Sequence, residues 1–274
     1  MKWIFKTVAC MCLVIDAIEI ENQLSDIMRL EELYRKSDSM VCLKPTDDRQ
    51  ENAAVEDILA EMTRSKLSMA TAPRVKATAY LTKAALSLPG GDIVETGTYT
   101  GGTAAVIMKT IMAFDACDRK FWAFDSFQGL PERTVEDGVT FGATAGAGAY
   151  KTTMGQLKYN LMKLNAWNES IIKITKGWFN ETCPKSPVQK ISFLRLDGDL
   201  FVSTWDVLNA FYDKVIPGGY IYVDDFGSFE GCRNAVDLYR AKYKIYEPMR
   251  FIRENQAMGR LNFEAVWWKK RTVE

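Results

Sequence analysis

The sequence contains no histidine. Such a chain has no imidazole to serve as a general base, as a metal ligand or as the partner of a serine or cysteine nucleophile. Hydrolases of the histidine triad type and histidine-ligated metalloenzymes are therefore excluded. Any acid-base or metal chemistry has to come from Asp, Glu, Lys, Tyr or Cys.

An excess of charge of one sign is also missing, because 35 lysine and arginine residues balance 35 acidic residues. Proteins that bind nucleic acid normally carry a basic excess. We therefore expect a small-molecule partner and no nucleic acid. A homo-oligomer stays open, because nothing in the sequence decides the state of assembly.

Paired cysteines and long apolar runs are lacking as well. None of the six cysteines forms a C-x-x-C pair, so incidental or buried thiols are expected rather than a zinc site or a disulfide framework. The apolar run 8–15 is too short to span a bilayer. Because Lys6 interrupts its basic start and Asp16 follows it, we favour a docking helix over a signal peptide. A cytoplasmic location is expected, with a secretory protein as the alternative.

Residues 1–54 are charged and irregular, and we interpret them as an N-terminal extension of a helix plus a linker over 44–51. The compact domain is expected over 55–274. Helical spacing of apolar residues predicts amphipathic helices over 55–66 and 74–88.

After Gly91, short apolar runs alternate with longer helical stretches. Expected strands are 92–95, 120–124, 171–174, 191–196, 220–223, 246–251 and 262–268. Expected helices between them are 102–114, 153–165, 203–215 and 230–243. This alternation predicts an α/β, Rossmann-like fold with a mainly parallel seven-stranded sheet flanked by helices.

Ligands of such sheets bind beyond the carboxyl ends of the strands. The first strand ends at Glu95 and runs into a turn containing Gly97 and Gly101, which lets the backbone approach a ligand at a helix N-terminus. The turn has neither the G-x-G-x-x-G spacing nor a P-loop lysine. Glu95 would repel a phosphate and attract a cation. This favours S-adenosylmethionine, which carries an ammonium and a sulfonium. A purely structural glycine turn is the alternative.

Asp125 ends the second strand, where a carboxylate can accept both ribose hydroxyls of a nucleoside. A loop aspartate that caps the next segment is the alternative. Together with the glycine turn, Asp125 strengthens the cofactor hypothesis.

Four more acids follow the fourth and fifth strands: Asp197, Asp199, Asp224 and Asp225. These strand ends are neighbours in such a sheet, so the carboxylates should converge and repel one another. A divalent cation would relieve the repulsion, and an all-oxygen ligand set favours Mg²⁺. Alternatively, these acids cap helices or lie in solvated loops, an interpretation that suits Asp199 better than Asp224 and Asp225.

At this point the residues resemble the macrocin O-methyltransferase (TylF-like) family, whose members methylate sugar hydroxyls on antibiotics and other glycosides. The matching segments are VETGTYTGGT, FDSFQGLP, KGWFNETCP, LRLDGDLFVSTWDVL, IPGGYIYVDDF and GCRNAVDLYR. They cover residues 68–269 in order. The resemblance implies a class I methyltransferase that uses S-adenosylmethionine and Mg²⁺.

The resemblance also implies roles for individual residues. Glu95 and Gly97 would contact the amino-acid end of the cofactor, Asp125 its ribose, and Gly177 with Trp178 its adenine. The remaining cofactor-binding candidates are Thr98, Gly101 and Ser126.

For the metal, the resemblance implies Asp197, Asp224 and Asp225 as ligands, with Asp197 also the general base. Catechol-type methyltransferases typically have a lysine three positions after the first metal aspartate, where this chain has Leu200. A sugar or other aliphatic hydroxyl is therefore the expected acceptor. A non-catalytic binding module and a nicotinamide-dependent oxidoreductase are the remaining alternatives.

Overall fold

The computed structural model describes residues 49–138, 145–254 and 263–271. The expected docking helix near the N-terminus lies outside these residues. Within the described part, no helix is both long enough and apolar enough to cross a membrane.

The described residues form seven strands and seven α-helices. The strands are β1 Asp92–Thr96, β2 Phe121–Asp125, β3 Ile172–Lys176, β4 Ile191–Leu196, β5 Val215–Val223, β6 Arg250–Arg253 and β7 Phe263–Lys269. The helices are α1 Arg49–Ser65, α2 Ala72–Leu86, α3 Gly102–Ala113, α4 Met154–Lys163, α5 Phe179–Thr182, α6 Phe201–Phe211 and α7 Glu230–Lys242.

The strands build one sheet in the order β3-β2-β1-β4-β5-β7-β6. The first five are parallel, and β7 is antiparallel to both β5 and β6. The expected fold is confirmed, and β7 makes the sheet mixed. The chain order reverses between β1 and β4, which is where an open α/β sheet leaves a crevice for a ligand.

Each face of the sheet carries its own hydrophobic core, because alternate strand residues point to opposite faces. Ile93 packs with α1, α2 and α3, in a cluster that includes Val55 and Leu81. Val94 packs on the other face with α6 and α7, in a cluster that includes Leu208. Burial on both faces explains why β4 contains no exposed residue.

Several element boundaries differ from the sequence-based expectation. The strand predicted over 246–251 forms later in the chain, as β6 from Arg250. The predicted linker 44–51 is too long, because Arg49 already begins α1, and that helix buries Val55 against the core. The predicted helix 203–215 ends early, because the chain tightens into a 3₁₀ turn over Tyr212–Lys214.

The fifth strand is longer than predicted. The sequence indicates a turn at Gly218 and Gly219 before a strand at 220, but β5 already starts at Val215. The register beside β4 shifts there, from Ile191 opposite Val215 to Phe193 opposite Tyr220. The glycines therefore lie in a bulge inside the strand.

Candidate functional site

A cleft of about 550 Å³ opens beyond the carboxyl ends of β1, β2, β4 and β5. This volume lies in the range of small-molecule sites. The predicted site residues that line it are Gly97, Thr98, Asp125, Ser126, Trp178, Asp197, Asp224 and Asp225. The predicted residues Glu95, Gly101 and Gly177 do not belong to its lining.

The glycine turn after β1 brings two strand ends into close approach. Gly97 has a φ of +87°, and a Cβ there would lie 1.6 Å from the carbonyl oxygen of Asp197. Its N–H donates to the carbonyl of Phe124 at 2.8 Å. Only glycine fits this position. The turn therefore lies directly against the loop that carries the acids after β4.

Asp125 holds the glycine turn in place. Its Oδ2 accepts hydrogen bonds from the N–H groups of Thr98 and Tyr99, both at 2.9 Å, and its Oδ1 accepts from the N–H of Phe127 at 2.7 Å. The carboxylate is 8% exposed at the cleft. Asp125 thus shapes the binding turn, and its Oδ1, which accepts one hydrogen bond, retains a lone pair for a ribose hydroxyl.

The other predicted cofactor residues surround this carboxylate. The Ser126 hydroxyl donates to the carbonyl of Gly129 at 2.8 Å. The N–H of Gly177 donates to the carbonyl of Asp125 at 3.0 Å, which positions Trp178 at the edge of the cleft. Gly101 is the N-cap residue just before α3. Its φ is +93°, and a Cβ there would lie 2.6 Å from the Leu157 side chain. Gly101 and Gly177 therefore act through the backbone.

Glu95 lies beneath the cleft and is fully buried. Its Oε1 accepts from Arg195 at 3.1 Å, and its Oε2 has no partner among the described residues. Burial raises the pKa of Glu95 to about 7, against the opposing effect of Arg195. The sequence places this acid correctly in the fold but does not show that it faces an arginine.

Arg195 links the acids at three strand ends. Besides Glu95, its guanidinium donates to Asp197 and to Asp224, each at 2.6 Å, and none of it is exposed. Sequence reasoning missed this residue. A detectable signal was present, because a charged side chain inside the apolar strand β4 requires a buried partner.

Asp224 is neutralised by two arginines. Its Oδ1 accepts from Arg195 and from the Tyr222 hydroxyl at 2.9 Å, and its Oδ2 forms an ion pair with Arg74 from α2. Burial alone would raise the pKa of Asp224, but Arg195 and Arg74 outweigh it and lower the pKa. Arg74 also binds Glu254 at 2.9 Å, so it is held from both sides.

Asp197, Asp199 and Asp225 form the cluster best suited to a cation, since each offers an oxygen within 4.8 Å of the others. The N–H of Asp199 donates to Asp225 Oδ2 at 3.1 Å. Burial raises the pKa of Asp197 to about 6 and raises those of Asp199 and Asp225, and the repulsion between neighbouring acids adds to the effect. Among the described residues an ion pair reaches this cluster only at Asp197, from Arg195, so the charges of Asp199 and Asp225 have no cationic side chain paired with them.

This arrangement fits a hard divalent cation, because the donors are carboxylate oxygens and a single arginine faces three of these acids. It differs in one member from the ligand set that the resemblance implies. Asp197 and Asp225 belong to both sets, whereas the structure groups Asp199 with them and turns Asp224 towards Arg74 and Arg195.

The family model for macrocin O-methyltransferase (TylF) matches residues 22–270. The chain belongs to this family. The match starts well before residue 68, where the resemblance read from the sequence begins, so the family likeness reaches into the N-terminal segment.

Two relatives illustrate the family. Demethyldecarbamoylnovobiocin O-methyltransferase of Streptomyces niveus is 36% identical over 163 residues, which are 58% of this chain and 62% of that protein. 8-Demethyl-8-(2,3-dimethoxy-alpha-L-rhamnosyl)-tetracenomycin-C 4'-O-methyltransferase of Streptomyces olivaceus is 31% identical over 162 residues, 58% of this chain and 61% of that protein. The chain therefore spans about three fifths of the length of these relatives.

Solved structures agree with this assignment. The O-methyltransferase NovP superposes with a TM-score of 0.70 at 25% identity, covering 81% of this chain and all of that one. The calicheamicin methyltransferase CalS11 gives a TM-score of 0.59 at 19% identity, covering 82% and 94%, and shows the shared fold alone.

Proposed function

We propose that this chain is an S-adenosylmethionine-dependent O-methyltransferase that methylates a sugar hydroxyl of a glycoside, with Mg²⁺ in the site and Asp197 as the general base. The observation that carries the proposal is the cluster of Asp197, Asp199 and Asp225, of which only Asp197 pairs with an arginine, in the same cleft as the glycine turn and Asp125. One half of the cleft suits a cationic nucleoside, and the other suits a hydroxyl held for deprotonation.

In the cofactor half, the backbone after β1 and the Asp125 carboxylate would bind the nucleoside. Ser126 and Trp178 line the cleft beside it. This half contains glycines and acids, which suits the positive charge of S-adenosylmethionine better than a phosphate group. Orientation of the sulfonium methyl group towards the acid cluster would contribute much of the rate.

In the acceptor half, Asp197 and Asp225 would hold the cation with a third aspartate. A divalent cation bound there would lower the pKa of the acceptor hydroxyl. Asp197 would take the hydroxyl proton as the oxygen attacks the methyl group, and the carbon–sulfur bond would break to release S-adenosylhomocysteine. Arg195 donates to Asp197 Oδ2 at 2.6 Å and so fixes the orientation of this carboxylate. A base with a pKa of about 6 is ionised near neutral pH and can still accept a proton.

Two observations support a sugar over a catechol as acceptor. Leu200, at the position where catechol-type enzymes typically have a lysine, is buried and offers no base. The two relatives above are named as O-methyltransferases of a novobiocin derivative and of a tetracenomycin derivative, and the second name includes a rhamnosyl group.

A product assay tests the proposal. The protein is incubated with S-adenosylmethionine, Mg²⁺ and either phenyl rhamnoside or catechol, and mass spectrometry detects the methyl ether. We expect methylated glycoside that disappears when a chelator is added. Methylation of catechol alone would overturn the acceptor class, and full turnover in excess chelator would overturn the role of the cation.

A further inference from the structure

Glu264 is a buried acid in β7, the strand next to β5. It is 4% exposed and is followed by the buried residues Ala265 and Val266. Its Oε1 accepts from the Ser228 hydroxyl. Its Oε2 is enclosed and has no hydrogen-bond partner among the described residues. Buried carboxylate oxygens are normally paired, so an unpaired one calls for a ligand as its explanation.

The backbone fixes Glu264 at the wall of the cleft. The N–H of Gly227 donates to the carbonyl of Glu264 at 2.7 Å, and a Cβ on Gly227 would lie 2.1 Å from the carbonyl oxygen of Phe263. The loop that follows Asp225 is therefore pressed against β7. As a result Glu264 and Ser228 both line the same cleft as the acid cluster.

The reaction proposed above does not use this carboxylate. Glu264 does not belong to the cluster of Asp197, Asp199 and Asp225. The guanidinium of Arg74 forms its ion pairs with Asp224 and Glu254, and none of the described ion pairs joins it to Glu264. Ser228 satisfies only one of the two oxygens. The second oxygen is thus left without a partner among the described residues, on a side chain whose residue lines the cleft.

We propose that Glu264 binds a second hydroxyl of the acceptor, one that is not methylated, and so determines specificity for polyhydroxylated acceptors. The inference rests on the proposed function, because it assumes that the acceptor lies beside the acid cluster. The unpaired carboxylate oxygen accepts a hydrogen bond, so it favours a hydroxyl, which can donate one, over an ether or a carbonyl, which cannot. A sugar ring presents hydroxyls on several sides and can reach both the cluster and Glu264.

The test compares wild type with Glu264→Gln on phenyl rhamnoside and on each of its monodeoxy analogues, measuring kcat/KM at saturating cofactor and Mg²⁺. A site built for a hydroxyl strongly rejects the analogue that lacks it. We expect the kcat/KM of the wild type to be about tenfold or more lower on one deoxy analogue than on the parent glycoside. The kcat/KM of Glu264→Gln on the parent glycoside should be lower than that of the wild type by the same factor. The same deoxygenation should not lower it further.

Deoxygenation next to the methylated position can also weaken coordination of the cation. That effect should persist unchanged in Glu264→Gln, which separates it from the hydroxyl that faces Glu264. The control variant is Glu61→Gln, which removes the charge of a glutamate paired with Lys109 at 2.7 Å away from the cleft. This control should show the same kcat/KM ratios between the glycoside and its deoxy analogues as the wild type.

Calorimetry with S-adenosylmethionine shows whether Glu264→Gln retains a folded site. If it does not, Glu264→Asp replaces it, since this variant keeps the charge and withdraws it by one methylene group. Wild-type ratios on every analogue in the folded variant would overturn the inference and leave the proposed function intact. A wild type that methylates no glycoside would overturn the proposed acceptor class and the inference together.

Discussion

Arg195 and Glu95 are register partners on the neighbouring strands β4 and β1, and their side chains form a fully buried ion pair of 3.1 Å. The same guanidinium reaches Asp197 and Asp224 at the ends of β4 and β5. One cation therefore offsets acids from three strands. A cleft with this many buried carboxylates depends on that compensation for its stability.

Replacing the positively charged side chain of Arg195 tests this dependence. Arg195→Met leaves three acids without their shared partner and should lower the free energy of unfolding by about 3–5 kcal/mol, as is usual when one side of a buried ion pair is removed. Urea unfolding followed by circular dichroism measures the change. In the matched control, Lys76→Met removes a surface pair with Glu56 at 3.0 Å, and the loss should stay below about 1 kcal/mol. Equal losses would contradict the stabilising role of Arg195.

Asp125→Asn tests the cofactor half of the cleft. The amide keeps the shape of the side chain, but it removes the negative charge and replaces one acceptor oxygen with an NH₂ donor. The two carboxylate oxygens accept three backbone N–H groups and, in our proposal, hydrogen bonds from the ribose. Affinity for S-adenosylmethionine should fall by about 1–3 kcal/mol. Calorimetry measures it, and an unchanged dissociation constant would remove Asp125 from the cofactor site.

The sequence predicted the fold well because its strongest signals are local. Apolar runs and glycine turns located β1, β2 and β4 to within one residue at each end. The start of β5 was missed, because Gly218 and Gly219 are typical of a turn and here lie in a bulge. Which of those two structures forms depends on the register beside β4, a non-local property.

The site was predicted in part for the same reason. The positions of the acids at strand ends predicted which of them converge, and all of these acids except Glu95 line one cleft. The sequence could not show how the carboxylates turn, because that depends on cations from distant segments. Arg74 enters from α2 and draws Asp224 away, and Arg195 binds Glu95 beneath the cleft.

A comparison of Asp199→Asn with Asp224→Asn identifies the third ligand of the cation. In the described arrangement Asp199 belongs to the cluster and Asp224 is neutralised by arginines. Asp199→Asn should therefore weaken Mg²⁺ binding at least as much as loss of an outer-shell partner does, roughly 10 to 100-fold. Asp224→Asn should weaken it less. Calorimetric titration measures both, and the reverse order would mean that Arg74 and Arg195 release Asp224 to the cation.

Affinity for Mg²⁺ should depend on pH. Burial raises the pKa of Asp197 from its ordinary value to about 6, so this carboxyl is protonated below that pH and ionised above it. A cation binds the ionised form and displaces the proton. The affinity should therefore rise as the pH increases through about 6. Titrations in buffers of different ionisation enthalpy measure the affinity and the protons released. A flat affinity across this range would contradict the raised pKa.

Turnover of Asp197→Asn tests the central claim most directly. The amide preserves the shape of the side chain and removes the proton acceptor, so kcat on phenyl rhamnoside should fall about a hundredfold or more while cofactor affinity changes little. The matched control is Asp92→Asn at the opposite end of β1, where the carboxylate accepts from Trp122 Nε1 at 2.8 Å, and its kcat should stay near that of the wild type. A near-normal kcat for Asp197→Asn would show that Asp197 is not the base and that the chemistry lies elsewhere in the cleft.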